Sequence, residues 1–549
     1  MTDATLQATS AFPVLSFAAV RERLLTPGAE IALLDVREED PFAQAHPLWA
    51  ANLPLSRIEI EAWRRIPRRD TLIVLFGEHR GTDLAPLAAK RLAGLGYTQV
   101  HLLEGGLEGW RAAGGELFRD VNVPSKSFGE LVEHERHTPS LSAPEVKALI
   151  DERANVVVLD ARRFDEYQTM SIPGATSVPG AELVLRVREL APDPATRVIV
   201  NCAGRTRSII GTQSLVNAGI PNPVAALRNG TIGWKLAGQV LDHGAVRRAP
   251  EAVSDAHRSQ ARADARRVAQ KAGVRWVAAD DVGSLEEAGR TVYRFDVRTP
   301  EEYAAGHLPG FAGAPGGQLV QETDHQVPVR HARIVLADDD GVRASMSGSW
   351  LAQMGWEVYV VEPVPAADAL SERGALAAVY PEVAWAVGEI EPLGLARLLN
   401  EDASSTAVID VTASANYVKR HVPGAWFAIR AQLLDAVAGV IPPARRYVLT
   451  CGSSLLARYA ASDLREWLDL RGQADVEVLV LLGGNAAWFA AGLHAEAGET
   501  RLGSERTDRY RRPYEGTSAS VEAMQGYLDW EFGLVEQLGR DGTHRFVVA

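Results

Sequence analysis

The sequence predicts an α/β protein of four tandem domains, each a parallel sheet flanked by helices on both faces, and three observations predict it. First, an apolar strand ending in aspartate occurs four times: Ile31-Ala32-Leu33-Leu34-Asp35, Val156-Val157-Val158-Leu159-Asp160, Tyr293-Arg294-Phe295-Asp296 and Val408-Ile409-Asp410. The aspartates recur every 114 to 136 residues, the period of a domain rather than of a solenoid repeat. Second, three copies continue into a proline–glycine turn, at Pro173-Gly174, Pro309-Gly310 and Pro423-Gly424, which sets a tight entry into the next strand. Third, three copies close on a glycine-containing turn that ends in tryptophan, at Trp110, Trp234 and Trp488. Strands alternating with helical stretches imply parallel sheets, with any reactive loop at the carboxyl ends of the strands.

Composition bounds the function. A chain of 549 residues is too long for one hydrophobic core, and its 46% hydrophobic and 23% charged residues suit several packed domains. The net charge of −13 opposes nucleic-acid binding. No apolar run reaches membrane-spanning length, and Met1 to Ser10 lacks the basic-then-apolar order of a secretory signal. A cytoplasmic, reducing setting without a membrane partner is therefore expected. The two cysteines, Cys202 and Cys451, lie far apart and without metal-ligand spacing, so neither a disulfide framework nor a metal site is indicated.

In chain order, the first copy keeps only Ala45-His46-Pro47 of the turn, and Asn122 to Ser140, polar and punctuated by proline and serine, reads as an ordered connector. The second copy holds the key stretch. Val198-Ile199-Val200-Asn201 is a strand, Cys202-Ala203-Gly204-Arg205 a loop, and Thr206-Arg207-Ser208 a helix start. Loop amides, the positive helix end, Arg205 and Arg207 would all favour a thiolate, which makes Cys202 the candidate nucleophile. An inert core cysteine has no use for two cations within five residues. Pro250 to Gly273, rich in Ala, Arg and Asp and lacking a strong apolar face, predicts an exposed linking helix. The tryptophans of the closing turns are expected to plug the core behind the loops. From Arg501 onward the chain leaves the repeat, but Tyr510, Tyr514, Tyr527, Trp530 and Phe532 are too aromatic for a disordered end, so this tail should dock on a domain.

The Asp-x-Arg strand end, Pro-Gly turn, cysteine loop and Gly-Gly-x-x-x-Trp close, taken in that order, resemble the rhodanese (sulfurtransferase) superfamily over most of the chain. The resemblance implies rhodanese-like domains at 10–120, 140–245, 274–372 and 385–497, with a C-terminal extension at 498–549. It further implies a Cys202 persulfide that takes sulfane sulfur from a small anionic donor such as thiosulfate and passes it to cyanide or a thiol. This ping-pong exchange needs no metal or organic cofactor. In that reading Arg205 and Arg207 hold the donor's anionic group, the amides from Ala203 through Gly204 and Thr206 to Ser208 cradle the outer sulfur, and the Ser208 hydroxyl adds a hydrogen bond. Asp160 and Arg162 support the loop as a strand-end ion pair. Homo-oligomerisation is left open.

Aligning the strands places Gly77, or Phe76 if the register slips by one, at the cysteine position of copy one, and Asp338 at that of copy three, so neither copy can form a persulfide. Copy four keeps Cys451 in a loop without a cation, with Arg458 the nearest candidate, and reads more as a vestige than as a second site. The cysteine-less copies are expected to be structural and to pair with the cysteine-bearing ones. Two other functions compete. One is a non-catalytic or regulatory scaffold in which the silent copies bind a partner. The other is a cysteine phosphatase or arsenate reductase, whose loop has five residues between cysteine and arginine where Cys202 and Arg207 enclose four, a ring better sized for one sulfur than for phosphate.

Overall fold

The computed structural model describes residues 12–79, 81–287, 289–516 and 518–549; Met1 to Ser10, read above for a leader, lie outside them. Four five-stranded sheets succeed one another along the chain, each with parallel pairing throughout. In the second, the strand order is Thr176–Ser177, Val156–Asp160, Arg197–Asn201, Val224–Leu227 and Ser140–Leu141, so the middle strand delivers Cys202. Val198, Ile199 and Val200 are fully buried, as a strand covered on both faces requires, and their unbroken β-branched run follows from that.

Register makes the four copies comparable. Asp160 lies opposite Asn201, Asp35 opposite Phe76, Asp296 opposite Ala337 and Asp410 opposite Thr450. The next residues, Cys202, Gly77, Asp338 and Cys451, therefore occupy equivalent places. Three copies brace the strand end with a buried ion pair. Arg162 donates to both oxygens of Asp160, at 2.8 and 2.7 Å, and on to the Met170 carbonyl at 2.6 Å. Arg37 and Arg298 repeat this on Asp35 and Asp296. Copy four has Thr412 instead, and burial without a cation pushes the Asp410 carboxyl up to about 7, against hydrogen bonds from the Thr412 amide and the Asn485 side chain. The tryptophans are core plugs: Trp110, Trp234 and Trp488 are buried, and each indole N–H donates to a carbonyl six residues on.

Two segments differ in part from their sequence reading. Asn122 to Ser140 contains a helix, Val123–Arg136, whose first eight residues are all buried at the centre of the molecule. Its polar residues are inside because they are paired: Ser125 donates to the Gln321 carbonyl at 2.7 Å, and Lys126 to Asp120 at 2.7 Å. The linking helix, Asp255–Lys271, is exposed over most of its length, as expected, but buries one face. It lies between domains two and three with Ala261, Asp264, Ala265, Val268 and Ala269 buried; small alanines allow close approach without a strong apolar stripe. Domain two packs on domain three through Gly180 against Gly317 and through Arg343 to Glu182 at 2.9 Å. Domain one meets domain four through Arg430 to Glu59 and Arg91 to Asp463, and meets domain three through Glu30 to Thr291.

Asp410 supplies a test. Its carboxyl titrates near 4 when unfolded and about 7 when folded, so its burial costs nothing below pH 4 and most above pH 7. Asp410→Asn should therefore stabilise the fourth domain by about 2–4 kcal/mol at pH 8 and leave it nearly unchanged at pH 4, read by urea unfolding at the two pH values.

Candidate functional site

The Cys202 loop is shaped by what holds its carbonyls. Thr231 and Ile232, at the start of the helix Gly230–Leu236, donate their amides to the carbonyls of Cys202 and Ala203, at 2.9 and 3.1 Å. Gly230 sits at φ +53°, and a Cβ there would collide with the Cys202 carbonyl, which is why this turn carries glycine. With the carbonyls drawn to one side, the loop amides are free to point to the other. Copy four repeats the clamp, with Asn485 and Ala486 donating to the carbonyls of Cys451 and Gly452. Copy three shows what those amides do, because the Asp338 carboxyl accepts from the Gly341 and Ala344 amides at 2.8 Å each and fills the ring itself.

Cys202 is 2% exposed. Its thiol donates to the Ser208 hydroxyl at 3.4 Å, and that hydroxyl donates to the Arg205 carbonyl at 2.8 Å. Burial pushes the thiol above its ordinary value, against the pull of Arg207 and of the Ser208 hydroxyl and amide. Burial thus works against the thiolate that the loop's cation, hydroxyl and amide favour. The arginines are differently employed. Arg205 does not face the sulfur. Its guanidinium lies on Glu130 at 2.7 and 2.8 Å, reaches Glu133, and stacks on the Phe532 ring at 4.1 Å. Arg207 acts on the thiol but is held by both oxygens of Glu166, at 2.7 and 2.8 Å, and pulls that carboxyl down to about 2. Neither cation is free to bind a donor in this conformation. Arg343 and Glu302 form the same pair in cysteine-less domain three, which marks Arg207–Glu166 as part of the frame. Thr206 opens the helix Thr206–Ala218 and packs on Gly129 of the central helix, where a Cβ would come within 2.9 Å of its methyl.

A cover closes the loop. The C-terminal extension runs past domain one, where the Thr507 carbonyl accepts from the Asp40 amide, and then lays Tyr514 and the helix Val521–Phe532 over the cysteine loop. Tyr514, Met524, Tyr527 and Leu528 pack on Ala203 and Ile232, and Tyr527 and Glu531 lie against Gly204. On the Arg207 side, a cavity of about 320 Å³ is lined by Arg163, Glu166, Arg207, Arg512 and Tyr514 among others. Glu130, Glu133 and Glu531 were not found from the sequence, and Tyr527 was read only as part of a docking tail; each lies more than 60 residues from the loop it serves.

Cys451 is buried among Ala457, Leu449 and their neighbours, and Arg458 turns away to Glu389 at 2.8 Å. The carboxyl of Glu78 in copy one lies beside Gly106, next to the vacant cysteine position at Gly77. No helix among the described residues is long and apolar enough to cross a membrane.

The family model of the rhodanese-like domain matches residues 18–113, 142–237, 278–362 and 393–491. The crystal structure of thiosulfate sulfurtransferase from Pseudomonas aeruginosa is 63% identical, covering 98% of this chain and 100% of that one with a TM-score of 0.93. An HTH-type transcriptional regulator of Mycobacterium tuberculosis is 33% identical over 94 residues, 17% of this chain and 41% of that protein, so the chain spans about two fifths of this curated relative. Each matched segment contains the central strands of one of the four sheets, and the chain belongs to the rhodanese-like domain family as four tandem copies.

Proposed function

We propose that the chain is a sulfurtransferase that carries sulfane sulfur on Cys202 as its one working site. The observation that carries this reading is that only Cys202, among the four equivalent loop positions, is a cysteine with a hydroxyl and an amide toward it and a guanidinium near enough to act on its charge. The 63% identity to a thiosulfate sulfurtransferase along nearly the whole chain supports thiosulfate as donor. A free thiol in this role fits a reducing, cytoplasmic compartment.

The chemistry follows from the loop. When Cys202 loses its proton, the Ser208 hydroxyl turns from the Arg205 carbonyl to the sulfur and joins the Ser208 amide in holding the negative charge. The thiolate attacks the outer sulfur of thiosulfate, a new S–S bond forms, and the donor's own S–S bond breaks with its electron pair going to sulfite. Sulfite takes the proton and leaves as bisulfite, so a thiol and thiosulfate become a persulfide anion and bisulfite with charge conserved. Cyanide or an acceptor thiolate then attacks the outer sulfur, and Cys202 is released to be protonated again. The cavity beside Arg207 carries Arg163 and Arg512 together with Asp165, Glu166 and Glu515, so an anion entering it competes with these carboxylates for the guanidiniums. Asp160 and Arg162 hold the strand end from which the loop departs.

Intact mass after incubation with thiosulfate should show one added sulfur atom, lost in Cys202→Ala and kept in Cys451→Ala; loss in both variants or in neither defeats the one-site reading. Ser208→Ala removes one hydrogen bond to the thiolate. Its persulfide loading at neutral pH should slow about tenfold, with the pH profile displaced to higher pH.

A further inference from the structure

The C-terminal extension brings a carboxyl to the cysteine loop that nothing in the repeat supplies. Glu531 is completely buried. One oxygen accepts from the Tyr527 hydroxyl at 2.8 Å; the other, Oε2, has no hydrogen-bond partner and lies against Gly204, 3.2 Å from where a Cβ on that residue would stand. The remaining groups around this space are already matched. Lys126 of the central helix is paired with Asp120 and ringed by Tyr514, Tyr527 and Trp530, and Glu130 and Arg205 are paired with each other. On the loop the Glu531 charge is felt by Arg205, which favours it, and by the Cys202 sulfur, which it disfavours as an anion.

We propose that Glu531 is a positioning residue of the sulfur-transfer site: with Cys202 it holds a single negative charge, so the extension sets when the cysteine ionises. This rests on the reading of Cys202 given above. A buried carboxyl with one unpaired oxygen and a buried thiol two residues from its contact each raise the cost of charging the other. Burial and the charge of Glu130 push Glu531 up to about 8, with Lys126, Tyr527 and Arg205 pulling the other way. Ionising Cys202 drives the proton onto Glu531, and an ionised Glu531 keeps Cys202 a thiol.

The test is a pH titration of thiolate ultraviolet absorbance in the full chain carrying Cys451→Ala, so that only Cys202 reports. Glu531→Gln keeps the shape and removes the charge; its midpoint should fall by about one pH unit, a tenfold rise in the ionisation constant. Tyr527→Phe withdraws the hydroxyl that favours the Glu531 carboxylate and should move the midpoint in the same direction by less, which keeps the test decisive if Glu531→Gln does not fold. A titration unchanged from the parent in the folded variants overturns the proposal. Sulfur loading by mass is measured on the same proteins. Parent protein that titrates but never loads defeats the sulfurtransferase reading instead.

Discussion

The buried ion pair between Arg205 and Glu130 joins three parts of the molecule that are far apart in sequence. Arg205 belongs to the cysteine loop, Glu130 to the central helix, and the face of the same guanidinium lies on Phe532 of the extension. Removing the arginine would strand Glu130 in a nearly dry interior, a loss of roughly 3–5 kcal/mol in comparable cases, whereas removing Glu130 would leave Arg205 on Glu133. The pair adds little net stability relative to a well-packed apolar substitute, but it fixes geometry. It pulls one arginine away from the sulfur, and it sets the central helix against Thr206 closely enough that position 129 must be glycine.

The four copies amount to an internal series in which one feature is lost at a time. The Asp–Arg brace survives in three and is missing in the fourth, where the aspartate becomes hard to ionise. The arginine–glutamate pair at the helix start survives in copies two and three, at an identical separation along the chain, although copy three has no cysteine. Frame residues have therefore outlasted chemistry. The clamp on the loop carbonyls also persists around Cys451, so what copy four lacks is charge near the thiol, not the shape of its loop.

Much of this was legible in the sequence, and the reasons are local. Strand ends, turns and tryptophan plugs are written in short patterns, so Asp160, Pro173-Gly174 and Trp234 could be placed without knowing their neighbours. Strand alignment was enough to put Gly77, Asp338 and Cys451 at the level of Cys202. What escaped was everything decided by partners distant along the chain. Ser125, Lys126 and Glu130 look like surface residues until Gln321, Asp120 and Arg205 are seen to satisfy them. Arg205 and Arg207 looked available for an anion because their glutamates lie 75 and 41 residues away. Local propensity identified the linking helix; its burial depends on the two domains that close on its alanines.

The carboxyl of Asp338 is tied into its own amide ring, so the third domain carries a permanent occupant that cannot diffuse away. The second domain has a cysteine at the equivalent place, and its sulfur meets the Ser208 hydroxyl where Asp338 meets the amides of its own loop. The two domains that meet across Gly180 and Gly317 thus share a frame but not a chemistry: the loop of one is filled by its own carboxyl, and the loop of the other begins at a thiol.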